Sequence, residues 1–255
     1  MFLRRSISKI RDRDWAFVVP ELLIVVAGVF LGIQAANWNT DRLDQEKGRM
    51  IIERLLVDLR NDLVARQTLV RYYQAVFEAA ERTVTRLNAE SVDDPLAFVI
   101  DAYRATELAY RPATRTTYDE AVSTGSLALI PPEARQVGFA DYYRNDFSLL
   151  AREAIRNSKY RHRVRRSLPS DIQVAIREKC GDLLNERYEI IGFNNDCDLG
   201  ISAEKIDQAV EALRSDPELI RDLRYHFTEL AGTPTRIRGE VVVLEASIRA
   251  LESAN

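Results

Sequence analysis

From Trp15 to Trp38 the chain reads WAFVVPELLIVVAGVFLGIQAANW, and no other feature restricts its possible folds so strongly. As a helix these 24 residues extend about 36 Å, enough for a hydrocarbon core of roughly 30 Å. The uninterrupted apolar run, Leu22 to Ile33, covers only about 18 Å, so its flanks must contribute. Trp15 and Trp38 stand where interfacial aromatic residues belong. A secretory signal peptide is the competing reading. A signal peptide needs a small-x-small cleavage site, and the pairs Ile33/Ala35 and Gln34/Ala36 both fail. The expectation is a retained transmembrane helix over 15–38.

Charge orients the span only weakly. Arg4, Arg5, Lys9, Arg11 and Arg13 precede it, while Arg42, Lys47, Arg49 and Arg54 follow. That slim excess does not settle the orientation; the cysteine pair described below, rather than this count, points to a cytoplasmic N-terminus and an exported domain. The segment before the span, 1–14, then reads as a basic cytoplasmic piece, and 39–255 as the exported domain. Residues 1–38 carry net +2 and the remainder −5. An acidic domain of this kind has no electrostatic reason to hold nucleic acid.

Within the span, Gly28 and Gly32 form a small-xxx-small pair continued by Ala36, which allows close approach of a second helix. Glu21 lies seven residues before Gly28, on nearly the same face. An ionisable group there turns toward protein or water rather than lipid. Glu21, Gly28 and Gly32 are therefore the expected intramembrane contact, made with a second copy or another membrane protein. Snorkelling of Glu21 to the headgroups is the plainer alternative.

The run PELLIVVAGVFLGIQAANWNTDR resembles the N-terminal signature of a family of uncharacterised bacterial single-span membrane proteins, a domain of unknown function. Glu21, Gly28, Gln34, Trp38 and Asn39 match its pattern, and Pro20 stands where the family has Gly. Residues 116–145, TTYDEAVSTGSLALIPPEARQVGFADYYRN, are similar to its interior helix–turn–helix. The resemblance implies a location in the bacterial inner membrane and a helical fold. It implies no activity.

Beyond Asn39 the residues turn polar, yet helical periodicity continues. Val70, Tyr73, Phe77, Ala80, Val84 and Leu87 recur at steps of three and four, and Ile52, Leu55, Leu59 and Leu63 extend the stripe upstream. Arg66 interrupts it. With no proline between Pro20 and Pro95, the pattern predicts a stalk helix reaching about Leu87. Asp94-Pro95 then opens a helix to about Ala109. Ser123-Thr124-Gly125 closes another, and Pro131-Pro132-Glu133 opens a long one toward Leu168. Ser202, Ser215 and Thr233-Pro234 read as further helix starts. In the last helix Ile237, Val241, Leu244, Ile248 and Leu251 repeat the heptad-like spacing, so it should lie against the stalk. No strand pattern is evident. The expected fold class is all-α: a transmembrane helix continuing into a long stalk helix and an antiparallel helical bundle.

Candidate sites are few. Arg152, Arg156, Lys159, Arg163 and Arg166, at steps of four and three, form a basic stripe opposite Phe139, Tyr143, Phe147 and Leu150. It could meet anionic lipid headgroups or an acidic partner, but a solvated outer face is the preferred reading. The loop GFNNDCDLG offers several oxygens but fails the calcium-loop template, lacking Gly at the sixth position and Glu at the twelfth. His162 and His226 stand alone, so no metal or cofactor is expected. No nucleophile elbow or phosphate-binding loop occurs, so an enzyme is not expected. Cys180 and Cys197 are the only cysteines, 17 positions apart. Cys197 stands between Asp196 and Asp198, a poor setting for a buried thiol, and the pair is expected to form a disulfide in an oxidising compartment. The functional expectation is an interaction or scaffold module, or an accessory subunit of a membrane complex. A ligand-binding sensor domain is the alternative. With 14 residues ahead of the span, it would need a separate signalling partner.

Overall fold

The computed structural model describes residues 15–254. The expectations on segment 1–14 and on the Trp15 side chain lie outside the described residues. The fold is all-α apart from one small hairpin. Helix α1, Trp15–Asn88, is a single unbroken rod of 74 residues, about 110 Å long. Pro20 lies inside the helix, which continues past it with the loss of one backbone N–H donor. From Val19 to Lys47 every residue of the rod is exposed, and burial begins at Gly48. A Cβ at Gly48 would stand 2.9 Å from the carbonyl oxygen of Leu129, so glycine permits the 3-10 turn Ser126–Leu129 to close on the rod.

The shorter helices follow as α2 (Pro95–Arg104), α3 (Thr116–Ser123), α4 (Pro132–Arg135), α5 (Phe139–Arg144), α6 (Phe147–Arg156), α7 (Lys159–Ser167), α8 (Ser170–Lys179) and α9 (Ala203–Arg214). Then α10, Leu219–Ser253, runs back along the rod. Arg60 reaches Glu252 at 2.6 Å, and Phe77 stacks on Phe227 with centroids 4.7 Å apart. The two long helices are therefore antiparallel, with their apolar stripes facing each other.

Several boundaries differ from the sequence reading, each for a local reason. The helix expected from Pro132 to Leu168 is four helices. Gly138 takes a left-handed φ of 96°, Asp146 caps α6 by accepting from the Leu149 amide, and Ser158 caps α7 by accepting from that of Arg161. The helix from Pro95 stops at Arg104 rather than Ala109, where the Thr106 hydroxyl donates to the Tyr103 carbonyl. Ser215 ends α9 instead of starting a helix. Thr233-Pro234 lies inside α10, with the Thr233 hydroxyl donating to the Glu229 carbonyl one turn back. Both residues are buried there, so tertiary burial overrides the helix-start signature.

The unexpected sheet is an antiparallel hairpin, β1 (Asp182–Leu184) with β2 (Ile190–Phe193), Asp182 facing Phe193. Its turn is held by Asn185, whose side-chain oxygen accepts the amides of Arg187 and Glu189. Gly181 leads into it; a Cβ there would fall 2.3 Å from the Arg177 carbonyl oxygen. Cys180 and Cys197 are joined across the hairpin base, their Cα atoms 5.4 Å apart. Closing a loop of this size constrains the unfolded chain by about 3 kcal/mol. Reduction, or Cys197→Ser, should lower unfolding stability by about that amount, read as a shifted urea midpoint. An unchanged midpoint would show that the bridge adds nothing to the fold.

Two hydrophobic clusters divide the core. One, nearer the exposed apolar segment, joins Leu55 and Leu59 of α1 to Phe139, Tyr142 and Leu244. The other, farther along, joins Tyr73 and Val76 to Phe98, Ile155, Tyr160, Leu230 and Ile237. Between them lies a buried polar seam. Arg66, only 1% exposed, meets Glu240, 3% exposed, with Nε 2.6 Å from Oε2. The Nε–H does not point along this contact, which is ionic rather than a directed hydrogen bond. Arg66 Nη1 donates to the Arg111 carbonyl, and Glu240 Oε1 accepts the Phe147 amide. Asp62 accepts the hydroxyls of Thr114 and Tyr142. Burial holds the Glu240 carboxyl above its ordinary range, and Arg66 pulls it the other way.

His226 of α10 is buried against Tyr160, with Nε2 2.8 Å from the Ala105 carbonyl. Desolvation pushes its pKa down to about 4, so it folds neutral. The unfolded chain then takes up this proton near pH 6.5, before the native state does. Stability from this residue is present above 6.5 and declines as pH falls toward 4, by up to about 3 kcal/mol. Asp182, raised to about 6 chiefly by burial, acts oppositely: its contribution is complete at low pH and lost as pH rises through 6. In His226→Gln the acid-side decline should shrink, leaving the Asp182 trend. An unaltered pH profile would contradict this assignment.

Candidate functional site

Among the described residues, nothing covers the first part of α1. A Cβ at Gly28 or Gly32 would meet no atom within 4 Å, and Glu21 is exposed on the same stretch. Val19, Leu22, Leu23, Ile24, Val25 and Phe30 are all solvent-facing. This segment is long and apolar enough to cross a membrane. The exposure does not end with the apolar segment. Leu43, Met50, Val57 and Val64 recur every seven residues, each more than half exposed. At Val64 the column reaches the hairpin, where a cavity of about 450 Å³ is shared with Tyr188 and Ile191. The sequence signal for this column was its spacing of seven. The stronger stripe through the buried Ile52, Leu55 and Leu59 and the partly buried Leu63 masked it.

The five basic residues do not form one face. Asn157 and Ser158 break the helix between Arg156 and Lys159, placing Arg152 and Arg156 on α6 and the other three on α7. Arg152 pairs with Glu153 and lies 5.5 Å from the Tyr110 ring centroid. Arg163 is held by Asp216 and Asp222. Arg156, Lys159 and Arg166 are exposed, and the last two border a shallow cavity of about 420 Å³ with His162. The apolar set opposite is divided too: Phe139 and Tyr143 are buried, whereas Phe147 and Leu150 face solvent.

A second polar assembly surrounds the disulfide. Asp101 of α2 is buried and accepts from Arg82 at 2.8 Å and Arg86 at 2.5 Å, both on α1. Arg104 donates to the Asn195 side chain and to the carbonyls of Cys180 and Asn194, and lies over the Phe193 ring. Burial lowers the Arg104 pKa below its usual value. These groups line a cleft of about 350 Å³ that holds three guanidiniums against Asp101 and Asp94. The Asn-rich loop thus serves as an anchor for Arg104, with Asn194 also donating to the Lys179 carbonyl. Sequence reading missed this cleft because its ion pairs join separate elements. Only the i,i+4 spacing of Arg82 and Arg86 was visible.

No protein-family model matches the chain, and neither the curated proteins nor the solved structures contain a match to it.

Proposed function

We propose that the protein is a single-span membrane protein of the bacterial inner membrane, with a cytoplasmic N-terminus and a periplasmic helical domain that acts as an interaction or scaffold module. One observation carries the reading: the apolar residues from Val19 to Trp38 are uncovered along a helix that runs without a break into the domain core. So much contiguous apolar surface is unstable in water and marks a membrane or partner contact. The rigid junction would hold the domain at a fixed height above the bilayer. The disulfide supports an oxidising compartment. A resemblance to the signature of uncharacterised single-span membrane proteins, carried by Glu21, Gly28, Gln34, Trp38 and Asn39, supports the same reading. The chain should stay in the pelleted membrane fraction through high salt and alkaline carbonate, and enter solution only with detergent. Release by carbonate alone would overturn the anchor.

A second reading, a sensor domain working through a separate signalling protein, is favoured by the Arg82, Arg86 and Arg104 cleft. Isothermal titration of the detergent-solubilised chain with citrate, wild type against Arg86→Gln, separates the two. Binding lost in the variant supports the sensor, and no binding to either removes it.

A further inference from the structure

On an ideal helix of 100° per residue, Leu43, Met50, Val57 and Val64 form one column with a drift of only about 20° per step. Two charged columns flank it. Glu46 and Glu53 stand on one side, Lys47 and Arg54 on the other. Glu46, Lys47 and Glu53 have no ion-pair partner among the described residues, while Arg54 also binds Glu120 of its own chain. An apolar column with an acidic rim and a basic rim is self-complementary in one orientation only. We propose that this face of α1 docks a second copy of the chain, side by side and parallel.

The rims decide the orientation. A two-fold axis parallel to the helices turns the acidic side of one copy to the basic side of the other. Glu46 then meets the partner's Lys47, and Glu53 meets the partner's Arg54. An antiparallel pair would set acid against acid and base against base, which is unfavourable. Two copies anchored in one membrane must also lie parallel, so the anchor and the rims demand the same arrangement.

Geometry extends the contact. Glu21, Gly28, Gly32 and Ala36 fall with the exposed column within an arc of about 80° on the continuous helix. The column alone is narrow, with one apolar residue per two turns. It would not hold two free chains together in water. Tethering in the same bilayer makes the contact effectively intramolecular, raising the local concentration to the millimolar range.

The inference rests on the membrane-anchored reading, and its test separates the two. Both native cysteines are bridged, so Met50→Cys adds the one free thiol of the chain. In isolated membranes treated with copper–phenanthroline, that variant should give a cross-linked species of twice the chain mass. Asp41→Cys, on the opposite side of α1 and about 14 Å closer to its apolar segment, should give at least tenfold less. Glu46→Lys and Lys47→Glu should each reduce the Met50→Cys dimer, about tenfold, and the double exchange should restore it. All four positions are exposed, so unfolding midpoints should stay near wild type. Equal cross-linking at 41 and 50, a cross-linked product of another mass, or no recovery in the double exchange would overturn the dimer. A chain that sediments with membranes but never dimerises leaves the anchor intact, whereas a chain in the soluble fraction removes the anchor itself.

Discussion

Arg66→Ala should cost about 3–5 kcal/mol of unfolding stability, because it leaves the Glu240 carboxylate buried without its cation. Glu240 would retain only the Phe147 amide as a partner within the seam. The same substitution also removes the donor to the Arg111 carbonyl and opens space beside the Tyr142 ring. Burial already raises the Glu240 carboxyl, and losing Arg66 raises it further. A raised folded pKa stabilises below the unfolded value and loses that stabilisation as pH rises. The variant should therefore recover part of its loss near pH 4 relative to pH 7. The double replacement Arg66→Met with Glu240→Leu should be far milder than either single change, since no charge is then stranded. Urea unfolding of the wild type, Arg66→Ala, Arg66→Met, Glu240→Leu and the double variant provides the comparison. A single-variant loss under about 1 kcal/mol, or a double variant worse than both singles, would contradict the role assigned to the seam.

Leu244→Ala is the second large effect, expected at about 2–5 kcal/mol. Leu244 is fully buried in the cluster of Leu55, Leu59 and Phe139, where rods α1 and α10 leave little room for collapse around a cavity. Phe77 sits in the same kind of stripe, yet it is only half-buried, stacked on Phe227 near the outer edge. Phe77→Ala should thus fall at or below the lower end of the same range. Removing residues 234–255 takes away Ile237, Leu244, Ile248 and Leu251 at once and uncovers the facing side of α1. That truncation should aggregate or be cleaved. A soluble, protease-resistant product would show that α10 is peripheral to the fold.

The long helices were legible because their signals are local and repeated. Proline is absent between positions 20 and 95, the stripes on α1 and α10 have matching periods, and Asp94-Pro95 is a helix start whose side chain accepts the Ala97 amide. The segment between 132 and 168 was less legible because Asp146 and Ser158 are ordinary polar residues until the chain turns at them. Pro234 misled in the other direction. A Thr-Pro pair outside a core starts helices, but here both residues are buried against neighbouring elements and the rod continues. The hairpin is too short for its alternation to register. Arg66 looked like a fault in the stripe because its partner, Glu240, lies on the other long helix, and no local pattern joins them. The same holds for Asp101 with Arg82 and Arg86, and hence for the cleft. The exposed column of Leu43 to Val64 was written in the spacing, but only burial distinguishes an outward stripe from an inward one.

Anchoring and export are tested together by adding proteinase to intact spheroplasts while tracking tags at both ends, with thiol alkylation of the denatured protein before and after reduction. Residues beyond Asn39 should be digested from outside while the N-terminal tag survives, and Cys180 and Cys197 should become alkylated only after reduction. A protected domain carrying two thiols that alkylate without reductant would contradict the export.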